Sequence, residues 1–267
     1  MTTIKTLMSL NGRRALITGA AGGLGKVIAD TLAELGANLV LVDRPGSDLQ
    51  SISEALFQRW GIKAQCYYCD LEMQDQRNVL INELIAEKEG LSILVNNAAF
   101  VGTSELHGWG VPFEEQTIDT WRRAIEVNLT AAFDLSKGLA PLLRNSTGAN
   151  ILNIASIYGS YGPDWSLYEG TSMSNPGAYA ASKGGLLQLT RWLATTMSPS
   201  VRVNAISPGG IARNQPSVFV QKYEKRTPLA RMATEDDFRG AIAFLVSDLS
   251  SYVTGQNLEV DGGWGCW

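Results

Sequence analysis

Seven short apolar runs punctuate the chain: RALITG at 14–19, NLVLVD at 38–43, AQCYYC at 64–69, LSILVNN at 91–97, ANILNIAS at 149–156, VRVNAIS at 201–207 and NLEVDGG at 257–263. Most are too short for helices, rich in Val, Ile and Leu, and close on Gly, Asn, Asp or Ser, as strands buried on both faces of a parallel sheet do. The segments between them carry helical spacing. GKVIADTLAELGA repeats Val27, Ile28, Leu32 and Leu35 on one side and stops at Gly36, a usual helix-ending residue type. Similar patterns run through the stretches beginning at Ile118, Ala178 and Glu235.

Strand, helix, strand in continuous alternation requires right-handed crossovers and puts helices on both faces of a parallel sheet. The predicted fold class is α/β, a single doubly wound parallel-sheet domain of Rossmann type over residues 1–267, because no Pro- or Ser-rich linker and no repeat divides the chain. Three long irregular stretches, 100–116, 158–176 and 209–230, begin at the carboxyl ends of strands. Open α/β sheets bind ligands on that edge, so these are the candidate substrate loops.

Composition acts mainly by exclusion. At 45% hydrophobic and 18% charged residues the chain is globular. A net charge of -4 gives no electrostatic reason to approach nucleic acid or anionic lipid, so neither nucleic acid nor membrane is an expected partner. The amino terminus lacks the apolar stretch of a signal peptide, and no window approaches the roughly 18 apolar residues of a membrane span. A cytoplasmic location and a small-molecule substrate are expected. Cys66 and Cys69 form a C-x-x-C, but strand alternation sends them to opposite faces, and the single His107 sits in a Gly-rich loop. No metal site is expected.

Chemistry enters at LITGAAGGLGKVIADTL, where Gly19, Gly23 and Gly25 stand between the first strand and the first long helix. A glycine-rich run alone also fits a turn that only seats a helix on a strand. Here the strand and helix are both in place, so free N–H groups at the helix amino terminus can hold a pyrophosphate. Asp43 closes the second strand, near the distance of about 20 residues expected for a carboxylate that hydrogen-bonds ribose hydroxyls. A carboxylate repels a 2'-phosphate, which points to NAD over NADP as cofactor. Arg44, the next residue, is the feature that would favour the phosphate.

From these residues the chain resembles the short-chain dehydrogenase/reductase family. TGAAGGLG matches the family's glycine turn, and Asp70–Leu71, NNAA at 96–99, Asn128 in VNLTAAF, Ser156 in NIAS, YAASK at 179–183, PGG at 208–210 and the closing TGQNLEVDGG follow in order. The resemblance implies an NAD(H)-dependent oxidoreductase that moves a hydride between nicotinamide and a secondary alcohol or ketone. It implies Asn128, Ser156, Tyr179 and Lys183 as the catalytic set. Cofactor contacts would come from Gly19, Ala21, Gly23, Leu24, Gly25, Asp43, Arg44, Asp70, Leu71, Asn97, Ala98, Ala99, Tyr179, Lys183, Pro208, Gly209 and Ile211. Asn128 would help position a water linking Lys183 to solvent. A homodimer or homotetramer packed through the helices near 117–144 and 178–197 is also implied.

The chemistry of the four supports the assignment. Tyr has an ordinary pKa near 10 and needs a nearby cation to act as a base at neutral pH. Lys183, four residues on, shares its helix face. Ser156 can hydrogen-bond the substrate oxygen as charge develops there.

Two departures from the family bear on substrate. Ser156 and Tyr179 are unusually far apart, and the extra segment holds Tyr161, Asp164, Trp165, Tyr168, Glu169, Ser172 and Asn175. Trp165, Tyr168 and Glu169 fit a wall for a sugar or sugar derivative, yet the segment fits a packed surface loop or subunit contact equally well. Arg213 follows PGG, placed for an anionic substrate group, the cofactor pyrophosphate or solvent. The segment around it, 209–228, reads as a flap over substrate. A non-catalytic NAD-binding regulator or scaffold is the alternative from another class. An epimerase or dehydratase is a third reading, set aside because such enzymes usually carry a larger substrate domain.

Overall fold

The computed structural model describes residues 1–100 and 106–267, so part of the 100–116 loop lies outside the described residues. All seven apolar runs are strands: β1 Arg14–Thr18, β2 Asn38–Asp43, β3 Gln65–Tyr68, β4 Ile93–Asn96, β5 Asn150–Ile154, β6 Arg202–Pro208 and β7 Asn257–Val260. They form one parallel sheet in the order β3-β2-β1-β4-β5-β6-β7. The order reverses between β1 and β4, paired through Ala15↔Ile93 to Ile17↔Val95. A doubly wound sheet has its ligand crevice at such a reversal.

The helices are α1 Ile4–Met8, α2 Gly23–Glu34, α3 Leu49–Trp60, α4 Gln74–Ala86, α5 Ile118–Ile125, α6 Ala131–Gly138, α7 Ala140–Arg144, α8 Gly177–Thr196, α9 Ser217–Arg226 and α10 Arg239–Val246. One face of the sheet is covered by α2, α3 and α10 through Leu24, Ile28, Leu32, Leu56, Ile242 and Leu245. The other is covered by α4, α6 and α8 through Leu80, Leu84, Leu135, Leu193 and Ala194. Burying each such Leu or Ile contributes about 1.5–3 kcal/mol, which is why both helix layers stay docked. Among the described residues no helix is long and apolar enough to cross a membrane, and Cys66 and Cys69 are free thiols.

Three features of packing position the crevice. Asn96 of β4 donates to Asn153 of β5 (2.8 Å), and Asn153 donates to Thr190 of α8 (2.9 Å), a buried polar chain that sets α8 against the strand ends. Arg77 of α4, 2% exposed, pairs with Glu126 (2.7 Å) and Asp134 (2.8 Å) and donates to the Leu71 carbonyl just beyond β3. Between α5 and α6 the helical period expected from the sequence is broken by a π turn over Glu126–Thr130, where the Ala131 N–H reaches back to Glu126. One extra residue per turn lets the helix bulge, and Asn128 sits in the bulge.

The segment that was open between substrate wall and packed loop forms two 3-10 turns, Ile157–Gly159 and Trp165–Leu167. Its rings lie on α9 and Trp264: Tyr168 meets Phe219 at 5.5 Å between ring centres, Phe219 meets Tyr223 at 5.9 Å, and Tyr223 meets Trp264 at 6.4 Å. The predicted flap is thus partly helical, and the insertion is packed against it.

Candidate functional site

The glycine turn is built by close approach. A Cβ on Gly25 would lie 2.0 Å from the Gly19 carbonyl oxygen, and one on Gly19 would lie 2.8 Å from the Ala98 Cα. Gly19 also has φ +64°, a left-handed conformation that glycine adopts without cost. Asn97 closes the turn from β4, its Nδ2 donating to the carbonyls of Thr18 (2.9 Å) and Gly19 (3.0 Å). Asp43 joins from β2: one carboxylate oxygen accepts from the Ala21 N–H (2.8 Å), the other from the Arg44 N–H (2.8 Å) and the Ser47 hydroxyl (2.9 Å).

These residues open on a cavity of about 770 Å³. Its wall contains every position expected from the motifs to touch a cofactor: Gly19, Ala21, Gly23, Leu24, Gly25, Asp43, Arg44, Asp70, Leu71, Asn97, Ala98, Ala99, Tyr179, Lys183, Pro208, Gly209 and Ile211. The volume lies in the range of small-molecule and cofactor sites. The donor set fits a dinucleotide, with backbone N–H groups at the α2 terminus for phosphates and an acceptor-only carboxylate for ribose hydroxyls. At the far end, the Tyr223 hydroxyl of α9 accepts from the Gly210 N–H (2.5 Å) and holds the PGG turn against the cavity.

Tyr179 and Lys183 lie one turn apart on α8. Lys183 is 2% exposed, its Nζ donates to the Ile154 carbonyl (2.7 Å) and stands 5.8 Å from the centre of the Tyr179 ring. Burial disfavours the ammonium and brings its pKa down to about 8. Burial pushes the Tyr179 phenol up, while the hydrogen bond with the Ser156 side chain and the positive charge of Arg213 pull it back. Ser156, just beyond β5, stands near enough to Tyr179 to favour the ionised phenol, and its Oγ accepts from the Tyr158 N–H (3.2 Å). The Asn128 side chain is engaged on both ends, Oδ1 accepting from the Phe100 N–H (2.6 Å) and Nδ2 donating to Ser182 (2.9 Å). Ser182 in turn donates to the Tyr179 carbonyl (2.8 Å), so Asn128 ties the loop after β4 to the helix carrying Tyr179 and Lys183.

Of the residues expected to meet substrate, Arg213 lines the cavity and the insertion residues do not. Trp165 is 56% exposed and Glu169 faces solvent beside Lys222 (3.7 Å). Tyr168 is turned into the ring cluster, its hydroxyl bonded to that of Tyr158 (2.7 Å). Tyr168 nevertheless stands near enough to Tyr179 to push its phenol up. His107 is exposed outside the cavity wall.

The wall also holds Ser47, Glu72, Phe100, Leu106, Arg123, Val127 and Gln215. Arg123 pairs with Glu72 (2.8 Å) and lies over the Phe100 ring. Ser47 was findable as a hydroxyl one turn after Asp43. Arg123 and Glu72 carry no local signal, because α5 and the loop after β3 meet only through tertiary packing.

Residues 19–265 match the model of a protein family described as enoyl-(acyl carrier protein) reductase. The chain is 35% identical to a 2-dehydro-3-deoxy-D-gluconate 5-dehydrogenase of Pseudoalteromonas atlantica, over 96% of this chain and 97% of that relative. Among solved structures, one from Beutenbergia cavernae described as an NAD(P)-dependent gluconate 5-dehydrogenase, with NADP bound at low occupancy, superposes with a TM-score of 0.86 at 32% identity and covers 98% of this chain and 100% of its own. A short-chain dehydrogenase from Leptospira borgpetersenii with bound NAD+ gives 0.83 at 31% identity, covering 99% and 96%.

The geometry of the turn makes Gly25→Ala a direct test. The methyl group cannot fit between α2 and the Gly19 carbonyl, so NADH binding measured by fluorescence titration weakens at least about tenfold, about 1.4 kcal/mol or more. Binding at the parental affinity would show that the turn does not hold the cofactor.

Proposed function

The chain belongs to the short-chain dehydrogenase/reductase family, and on that premise we propose that it is an NAD(H)-dependent alcohol dehydrogenase or ketone reductase acting on a sugar or sugar derivative. The observation that carries this reading is the convergence in one cavity of the glycine turn and Asp43 with Tyr179 and Lys183, with Ser156 near enough to Tyr179 to favour its ionised form. A non-catalytic scaffold has no observation in its favour. When bound, the nicotinamide supplies or takes the hydride, which leaves one proton to be moved at the substrate oxygen.

Tyr179 Oη moves that proton, and the Ser156 hydroxyl holds the same oxygen as its charge changes. The positive charge of Arg213 favours the ionised phenol, and Lys183 stands with its Nζ 5.8 Å from the centre of the Tyr179 ring. Its own pKa near 8 lets it hold or release a proton close to neutral pH, with the Ile154 carbonyl fixing its direction. Asn128 positions this machinery through Phe100 and Ser182. The preference for NAD rests on Asp43, whose carboxylate is held at the turn by Ala21 and Ser47 where a 2'-phosphate would bring like charge. The sugar-type substrate rests on the names of the relatives from Pseudoalteromonas atlantica and Beutenbergia cavernae, both dehydrogenases of gluconate type.

Self-association as a homodimer or homotetramer is supported by apolar side chains exposed on α5, α6 and α8: Ile118, Trp121, Phe133 and Trp192. Burying such a patch against a second copy removes it from water.

Three measurements test these proposals. With NAD+ and a panel of sugar acids and secondary alcohols, the protein turns over at least one sugar acid, and Tyr179→Phe keeps its NADH affinity while turnover falls roughly 10²–10⁴-fold; unchanged turnover removes Tyr179 from its role, and binding without turnover on any compound favours the scaffold. In parallel titrations NADH binds more tightly than NADPH, and the reverse order would mean that Arg44 outweighs Asp43. Light scattering returns at least twice the chain mass of 28.9 kDa, whereas a monomer across the micromolar range would refute self-association.

A further inference from the structure

Two side chains of opposite charge rest on Gly23, the first residue of α2. A Cβ at Gly23 would lie 2.7 Å from Glu235 Oε1 and 3.0 Å from Arg213 Nη2, and the two groups pair with each other, Nε to Oε1, at 3.2 Å. Both are held there by their surroundings. The Arg213 N–H donates to Gln215 Oε1 (2.6 Å), and Gln215 Nε2 donates to the Ile211 carbonyl (2.7 Å). Ala212 and Gly210 are stitched to Ala233 by backbone hydrogen bonds of 2.9 Å, which joins the segment after β6 to the turn that carries Glu235. That turn is locked by the capping box of Thr234 with Asp237, by two hydrogen bonds that Arg231 donates to the Asp237 carboxylate, and by buried Phe238.

The amino end of α2 attracts anions through its free N–H groups and dipole. Glu235 now takes part of that attraction, and Arg213 neutralises Glu235. A pyrophosphate arriving at the turn brings two further negative charges into reach of both. Like charge disfavours Glu235 beside it, while the guanidinium can form paired hydrogen bonds with phosphate oxygens as it does with a carboxylate. Only Gly at position 23 leaves room for the pair to lie so close to the helix end.

We propose that the Arg213–Glu235 ion pair is a latch over the nucleotide turn: Arg213 exchanges Glu235 for the pyrophosphate when the cofactor binds, and Glu235 acts as a built-in competitor that weakens cofactor affinity. Glu235 is a positioning residue with no part in the proton chemistry. The inference rests on the reading of the cavity as a dinucleotide site. It assigns Arg213 to the cofactor rather than to an anionic substrate group, and it couples cofactor seating to the segment between β6 and α9.

The test uses binding, not turnover, with NADH followed by fluorescence and with ADP-ribose and adenosine followed by calorimetry. ADP-ribose carries the pyrophosphate without the nicotinamide, and adenosine lacks both. Glu235→Gln and Glu235→Ala each tighten NADH and ADP-ribose roughly three- to tenfold and leave adenosine unchanged, while Arg213→Gln weakens NADH and ADP-ribose about tenfold. A Glu235 variant that binds ADP-ribose equally or more weakly overturns the latch, because the carboxylate would then be neutral or would serve to orient Arg213. Equal tightening toward adenosine also overturns it, since the effect would not arise at the pyrophosphate. If the parental protein binds neither NADH nor ADP-ribose, the dinucleotide reading itself fails; parental binding with unresponsive Glu235 variants sinks the latch alone.

Discussion

How closely α2 approaches the end of β1 governs the rest of the site. The Gly25 Cα rests so near the Gly19 carbonyl that no side chain can come between them. At that separation the Asn97 amide reaches both Thr18 and Gly19 from β4, and the Ala21 N–H reaches Asp43 from β2. Three strand ends therefore share one cradle, located where the strand order reverses. A wider separation would dissolve these hydrogen bonds together, because each uses a backbone group whose position the turn sets.

The other half of the cavity is organised by burial. Lys183 is carried into a buried position by α8 and satisfied there by the Ile154 carbonyl, which lowers the cost of holding an ammonium without ending it. Tyr179 is under opposing influences, from burial on one side and from Ser156 and Arg213 on the other. In such surroundings small displacements change proton affinity more than they would in water. This gives physical meaning to the buried chain from Asn96 through Asn153 to Thr190, and to the Asn128 contacts with Phe100 and Ser182: each limits movement of α8 relative to the strands.

The insertion contributes to the site indirectly. Its aromatic rings stack on α9 and Trp264, and α9 holds the PGG turn through Tyr223. Tyr168 packs on Phe219 of α9 and also stands near enough to Tyr179 to raise its pKa. Burial of Tyr158 and Tyr168 against Phe219, with their hydroxyls bonded to each other, satisfies both the rings and their polar tips without a ligand.

The sequence alone determined the seven strands, the parallel sheet and the set of residues at the nucleotide turn, because these depend on local properties: apolar period, strand length, and glycine where a helix meets a strand. It also placed Tyr179 and Lys183 on one helix face, since four-residue spacing does not depend on context. Only the tertiary structure decided that Trp165 and Glu169 face solvent, that Asn128 occupies a π turn with both ends of its amide engaged, that Arg123 and Glu72 border the cavity, and that Glu235 rests on Gly23. Those outcomes turn on which distant elements pack together. Glu235 lies far along the chain from Gly23, and no spacing rule connects them. Their contact exists because the turn before α10 is fastened to the segment after β6, and both close over the end of α2.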